Sequence, residues 1–134
     1  MAERKTIQRA RRDAREGKAP STQAGEFVRE EMEHIRERKH GARSTKQAIA
    51  IALSKARKAG VKLPAPGRGA SSRTRRQAAR DTRAGRRGAG ARRPSARRSR
   101  ATLQALRQEG RSAASHRELS RQARATARGR RRAR

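Results

Sequence analysis

Nearly all the bulk from which a core could be built lies between Ser21 and Leu63. That stretch holds the one Phe (Phe27), both Val, three of the four Ile and nine large apolar side chains in all. Outside it, Arg, Ala, Ser and Gly dominate, and beyond Met1 the large apolar residues are Ile7, Leu103, Leu106 and Leu119. Ordering a residue costs conformational entropy that only buried surface offsets. A chain partitioned in this way is expected to fold around one small element and to leave its flanks disordered. The expected class is therefore all-α, with a small αα-hairpin and long, largely disordered Arg-rich arms. Four segments follow: a basic N-terminal arm (1–20), a helical hairpin domain (21–63), a Gly/Pro/Arg-rich linker (64–94) and a basic, helix-prone tail (95–134).

Within 21–63, Ser21 is a candidate N-cap after Pro20, and the first helix is expected over about 22–39. Ala24, Val28, Met32 and Ile35 share one face, with Phe27 at its edge. Glu26, Glu30, Glu33 and Glu37 follow at i, i+4, i+7 and i+11 and form an acidic stripe. That stripe reads either as a solvated face supported by neighbouring arginines or as a docking strip for a basic segment. Gly41 fits a left-handed helix-ending position. Ser44 and Gln47 make a capping box for a second helix over about 45–59, whose face is Ile49, Ala52, Leu53 and Ala56. Ile51 points elsewhere. With so few large side chains the hairpin is small for a monomer, which points to a homodimer or to folding on a ligand.

A short helix is also expected over 3–16, marginal by itself. Residues 73–84 are expected to become helical against DNA. Ser95 opens a helix-prone stretch over about 95–109, and Ser115 with Glu118 another over about 115–128. A loose echo links His40-Gly41-Ala42-Arg43-Ser44 with Glu109-Gly110-Arg111-Ser112.

The charge decides the class of partner. The chain carries 40 Lys and Arg against 11 Asp and Glu, a net charge of +29. Residues 64–134 hold 23 bases against 3 acids, and every one of those bases is Arg. Arg forks match phosphate geometry, although a genome biased toward Arg codons accounts for the same preference. Each phosphate neutralised releases counterions, so a chain like this is expected to bind nucleic acid without sequence preference. The residues expected to carry that binding are Arg43, Lys46, Lys55, Arg57 and Lys58 around the second helix. Arg73, Arg75, Arg76, Arg86, Arg87, Arg92, Arg93, Arg97, Arg98, Arg130, Arg131 and Arg132 join them along the arms. Tyr and Trp are absent, so there are no aromatic platforms for single-stranded bases, and duplex DNA is favoured over RNA.

The region 25–64, GEFVREEMEHIRERKHGARSTKQAIAIALSKARKAGVKLP, resembles a family of short, basic bacterial proteins of unassigned function, as do 94–101 and 110–123. Some members are labelled plasmid-stabilisation or DNA-binding proteins. The resemblance implies a bacterial source and a DNA-related role, with no reaction attached.

Other classes fit less well. No Cys is present, which excludes disulfides and cysteine metal sites. No apolar run approaches the roughly 20 residues of a membrane span, and no membrane partner is expected. The N-terminus is basic without an apolar run, so it is not a secretory signal. No cofactor, metal site or catalytic residue is expected. His34 lies among Glu30, Glu33 and Glu37, but it has no HExxH partner, and a two-helix hairpin cannot easily enclose a dry pocket. The expectation is a non-enzymatic, cytoplasmic, nucleoid-associated, histone-like protein. The alternatives are an RNA- or ribosome-associated basic protein and a plasmid-maintenance or interaction adaptor that uses Glu26, Glu30, Glu33 and Glu37.

Overall fold

The computed structural model describes residues 2–87 and 95–132, and among them it is all-α, without a strand. The helices are α1 (Arg4–Arg15), α2 (Pro20–Arg36), α3 (Thr45–Lys58), α4 (Ser72–Arg87), α5 (Ala96–Arg107) and α6 (His116–Arg132), with a 3-10 turn at Ser112–Ala114. The chain divides into two compact units. The first is Met1–Glu30 with Ala50–Arg93, and the second is Glu31–Ile49 with Pro94–Arg134. The boundaries fall inside α2 and α3, so both units draw residues from 21–63. Each end of these two helices gathers its own flanking segments.

In the first unit, Ala10 of α1, Ala24 and Phe27 of α2, Ala52 and Ala56 of α3, and Val61 form one buried cluster. Ile7, Val28, Leu53, Ala59 and Leu63 pack around it. Phe27, expected at the edge of its face, is fully buried at the centre. On α3 the buried stripe is Ala48, Ala52 and Ala56, while Ile49 and Leu53 are half-buried. Small side chains let helix backbones approach closely, which a ranking by side-chain size does not reveal.

α1 is held by more than Ile7. Glu30 accepts the backbone N–H of Glu3, and Arg9 lies 3.7 Å from Glu26. After α1, the Lys18 ammonium hydrogen-bonds Asp13 at 2.9 Å and lies 3.0 Å from Glu16. The Asp13 bond, and then Glu16, raise the lysine above its usual 10.5. The support from this contact is present at neutral pH and is lost as pH rises through the raised titration.

α4 occupies much of the region expected to be linker. Ala78 and Asp81 are buried along one side, and Gly85 shares it. Asp81 accepts hydrogen bonds from Ser54 Oγ at 2.8 Å and Gln77 Nε2 at 3.0 Å, and Lys58 Nζ stands 3.8 Å away. Gly85 lies so close to the Arg57 carbonyl that a Cβ would collide with it. A helix with no large apolar residue is thus docked by a buried carboxylate and a backbone contact.

In the second unit, Met32 and Ile35 are buried with Ala42, Ala48, Ala113 and Ala114. The two echoing turns meet there. Gly41 N–H donates to Leu106 O at 2.7 Å, and Ala42 N–H donates to Gly110 O at 3.0 Å. The Arg36 guanidinium donates to Ala114 O, and the Thr45 hydroxyl to Ala113 O.

Local signals resolve unevenly. Ser44 caps α3 by accepting from Gln47 N–H, and Gln47 Oε1 accepts from Arg43 N–H. Ser95 and Ser115 cap α5 and α6 through Arg98 N–H and Glu118 N–H. Ser21 is not an N-cap, because α2 already begins at Pro20, where the fixed proline φ suits a first turn. α2 ends at Arg36 rather than near 39, and Arg38 takes the left-handed conformation at φ 63° that was expected of Gly41. Gly41 serves another need, since a Cβ there would strike the Glu109 and Gly110 backbone.

Alanine normally stabilises a mid-helix position by about 1 kcal/mol over glycine. At Gly85 the collision reverses the sign, and Gly85→Ala is expected to destabilise by about 1–3 kcal/mol. Gly67→Ala, which meets open space, should be close to neutral in the same urea titration. Asp81→Ala leaves Ser54 and Gln77 without their acceptor and should cost about 1–3 kcal/mol, read as a lower urea midpoint together with a weaker helical circular dichroism signal.

Candidate nucleic-acid interface

The helical repeat sorts the charge on α4. Arg73, Arg76, Arg80, Arg83 and Arg87 recur at i, i+3, i+7, i+10 and i+14, which places them on one face. That face lies opposite Ala78, Asp81 and Gly85, and all five arginines are exposed. At 1.5 Å per residue the row is about 21 Å long, with a charge about every 5 Å. Among the described residues no carboxylate lies within ion-pair distance of it. Arg80 donates to Gln77 and Arg83 to the Ala79 carbonyl, both within the helix. Arg75 and Arg86 flank the row.

α6 repeats the pattern in the other unit. Arg117, Arg121, Arg124, Arg128 and Arg131 recur at i, i+4, i+7, i+11 and i+14, all exposed, while Leu119 and Gln122 on the other side are half-buried. Among the described residues, Arg121 alone of these five has an acid near it, Glu118 at 3.4 Å. On α1, Lys5, Gln8, Arg9, Arg11, Arg12 and Arg15 line an open hollow of about 570 Å³.

The residues expected around α3 are less uniform. Arg43 and Lys46 are exposed, and Lys55 is half-buried. Arg57 is half-buried and donates to the Pro64 carbonyl at 3.0 Å, so it belongs to the framework rather than to a free surface. Lys58 is exposed but leans toward Asp81. Arg97 and Arg98 are exposed on the first turn of α5, and Arg130, Arg131 and Arg132 at the end of α6. Arg92 and Arg93 lie outside the described residues.

Arg80, Arg83, Arg117, Arg121, Arg124 and Arg128 were not singled out by sequence reasoning. Their spacing of three and four was visible, but a Gly- and Arg-rich run reads as a linker unless its arginines are tested for helical period. The acidic stripe does not survive as a surface strip. Glu30 is 3% exposed and holds the Glu3 backbone, and Glu26 is half-buried beside Arg9. Glu33 and Glu37 remain exposed. The first two acids therefore receive the protein's own N-terminal helix.

Among the described residues no helix is long and apolar enough to cross a membrane. No family model matches the chain, and no match is found among curated proteins or among solved structures.

Proposed function

We propose that this is a non-enzymatic protein that binds duplex DNA with little sequence preference, a nucleoid-associated and histone-like role. The observation that carries the reading is the row Arg73, Arg76, Arg80, Arg83 and Arg87. These five exposed guanidinium groups lie in line and, among the described residues, face no acid, on a helix docked through its other side. A row of that length can address several phosphates of one backbone, because a duplex carries one negative charge per about 1.7 Å of axis. The arginine face of α6 supplies a second binding surface of the same kind. The rows carry no Asn or Gln set aimed at base edges, so they position the protein without reading sequence. In this reading α2 and α3 act as a helical hairpin that supports the basic elements, and cytoplasmic location follows from the ligand.

The test is a salt series of binding to duplex DNA, single-stranded DNA and structured RNA. Replacing all five α4 arginines by Gln should leave the circular dichroism unchanged. It should lower the slope of log K against log salt by about 0.9 for each phosphate no longer neutralised, about 4.5 for the full row. An unchanged slope would remove α4 from the interface. Tighter binding to structured RNA than to duplex at equal salt would move the protein to the RNA-associated class.

A further inference from the structure

We propose that Glu31, His34 and His40 form a binding site for a divalent transition metal of the Zn2+ class. Glu31 and His34 stand three residues apart on α2, so they leave the same face. The chain reverses after Arg36, through the left-handed Arg38, and returns His40 to that face. One carboxylate oxygen and one nitrogen from each ring then lie within 4.8 Å of one another. Glu31 Oε2 and His40 Nε2 are 3.2 Å apart. Two atoms bound to zinc at about 2.0–2.1 Å in tetrahedral geometry are themselves about 3.3 Å apart. The pair already has that spacing. The two rings meet edge-on, at 83° with centroids 5.9 Å apart.

The His40 tautomer sharpens the case. Its Nδ1 lies 3.0 Å from the Gly41 carbonyl oxygen. A carbonyl only accepts, so Nδ1 carries a proton and Nε2 is the ring atom turned toward Glu31. That nitrogen faces a carboxylate oxygen, with Glu31 fully buried and His40 8% exposed. Two acceptors so placed require a cation, either a proton or a metal ion. A metal ion would in addition take the ring nitrogen that His34 brings within 4.8 Å of the other two ligand atoms. A ligating histidine whose other nitrogen donates to a backbone carbonyl is the usual outer shell of a metal site.

The donor set fixes the class. Two imidazoles and one carboxylate suit Zn2+, Ni2+ or Cu2+ rather than Mg2+ or Ca2+. Three protein ligands leave a fourth position open, and half-buried His34 provides the entry path. The chain's positive charge opposes any cation, but salt screens it beyond about 8 Å. Bound metal would tie the reversal at 37–44 to α2.

The experiment uses the untagged full chain with ZnCl2 in calorimetry and Co2+ in visible absorption. The expected result is one ion per chain, with tetrahedral Co2+ bands. His34→Ala should weaken binding at least tenfold and abolish the bands, and Glu31→Gln should act likewise. His116→Ala, exposed at the start of α6, should change nothing. At free zinc 100 times Kd, the unfolding equilibrium constant should fall about 100-fold. His34 is half-exposed, so His34→Ala carries the test if Glu31→Gln fails to fold. Absence of zinc uptake would leave a protonated His40 beside Glu31 as the whole explanation and overturn the proposal. Uptake that His34→Ala leaves unchanged would overturn it as well.

Discussion

Asp81 is the acid on a helix that carries seven arginines, and its burial keeps that helix from being a tail. It accepts from Ser54 of α3 and from Gln77 of its own helix, while Ala78 and Gly85 let α4 come close enough for the Ser54 bond to form. The charge pattern works against this helix. Arg73 and Arg75 occupy its first turn, where the dipole disfavours cations by about 0.3–1 kcal/mol each. Hydrogen bonds to a charged group contribute about 1.5–3 kcal/mol each, enough to offset that loss. The result is a helix whose interior side is small and polar and whose exterior is arginine.

The same division recurs elsewhere. Asp13, Glu30, Glu31 and Asp81 are all buried. Glu30 holds a backbone N–H of the N-terminal segment and Glu26 pairs with Arg9. Many acids of this chain thus turn inward, and the arginines are left outward. The exposed surface is more positive than a count over the sequence suggests, since several carboxylates that would dilute it lie inside. That distribution links the packing to the proposed role. Repulsion among the α4 arginines is tolerated because the buried Asp81 holds that helix, and in the proposed role phosphates would relieve it.

Much of the local structure was legible. The all-α class follows from composition and caps, and Ser44, Ser95 and Ser115 cap their helices as their positions imply, while Gln47 accepts the Arg43 N–H rather than the Ser44 N–H of a full capping box. What stayed hidden shares one physical cause. Hydrophobic periodicity registers large side chains, whereas these helices meet through Ala, Gly and buried polar groups. Ala48, Ala52 and Ala56 rather than Ile49 and Leu53 line the buried side of α3. α4 has no large apolar residue, so its run read as linker. Gly41 and Gly85 are required by backbone approaches that no local pattern announces. His40 reaches Glu31 only through the reversal at Arg38, which brings both near His34 and which no local pattern announces.

The central claim is that the arginine face belongs to a helix already docked in the free protein. Native-state hydrogen exchange on the free chain, resolved over residues 72–87, addresses it directly. The account predicts that the α4 amides are protected without any nucleic acid, opening together with those of the second half of α3, because Ser54 and Asp81 join the two. Exchange at the rate of an unstructured chain, with protection gained only on adding duplex DNA, would contradict it and return this segment to a disordered arm that folds on its ligand.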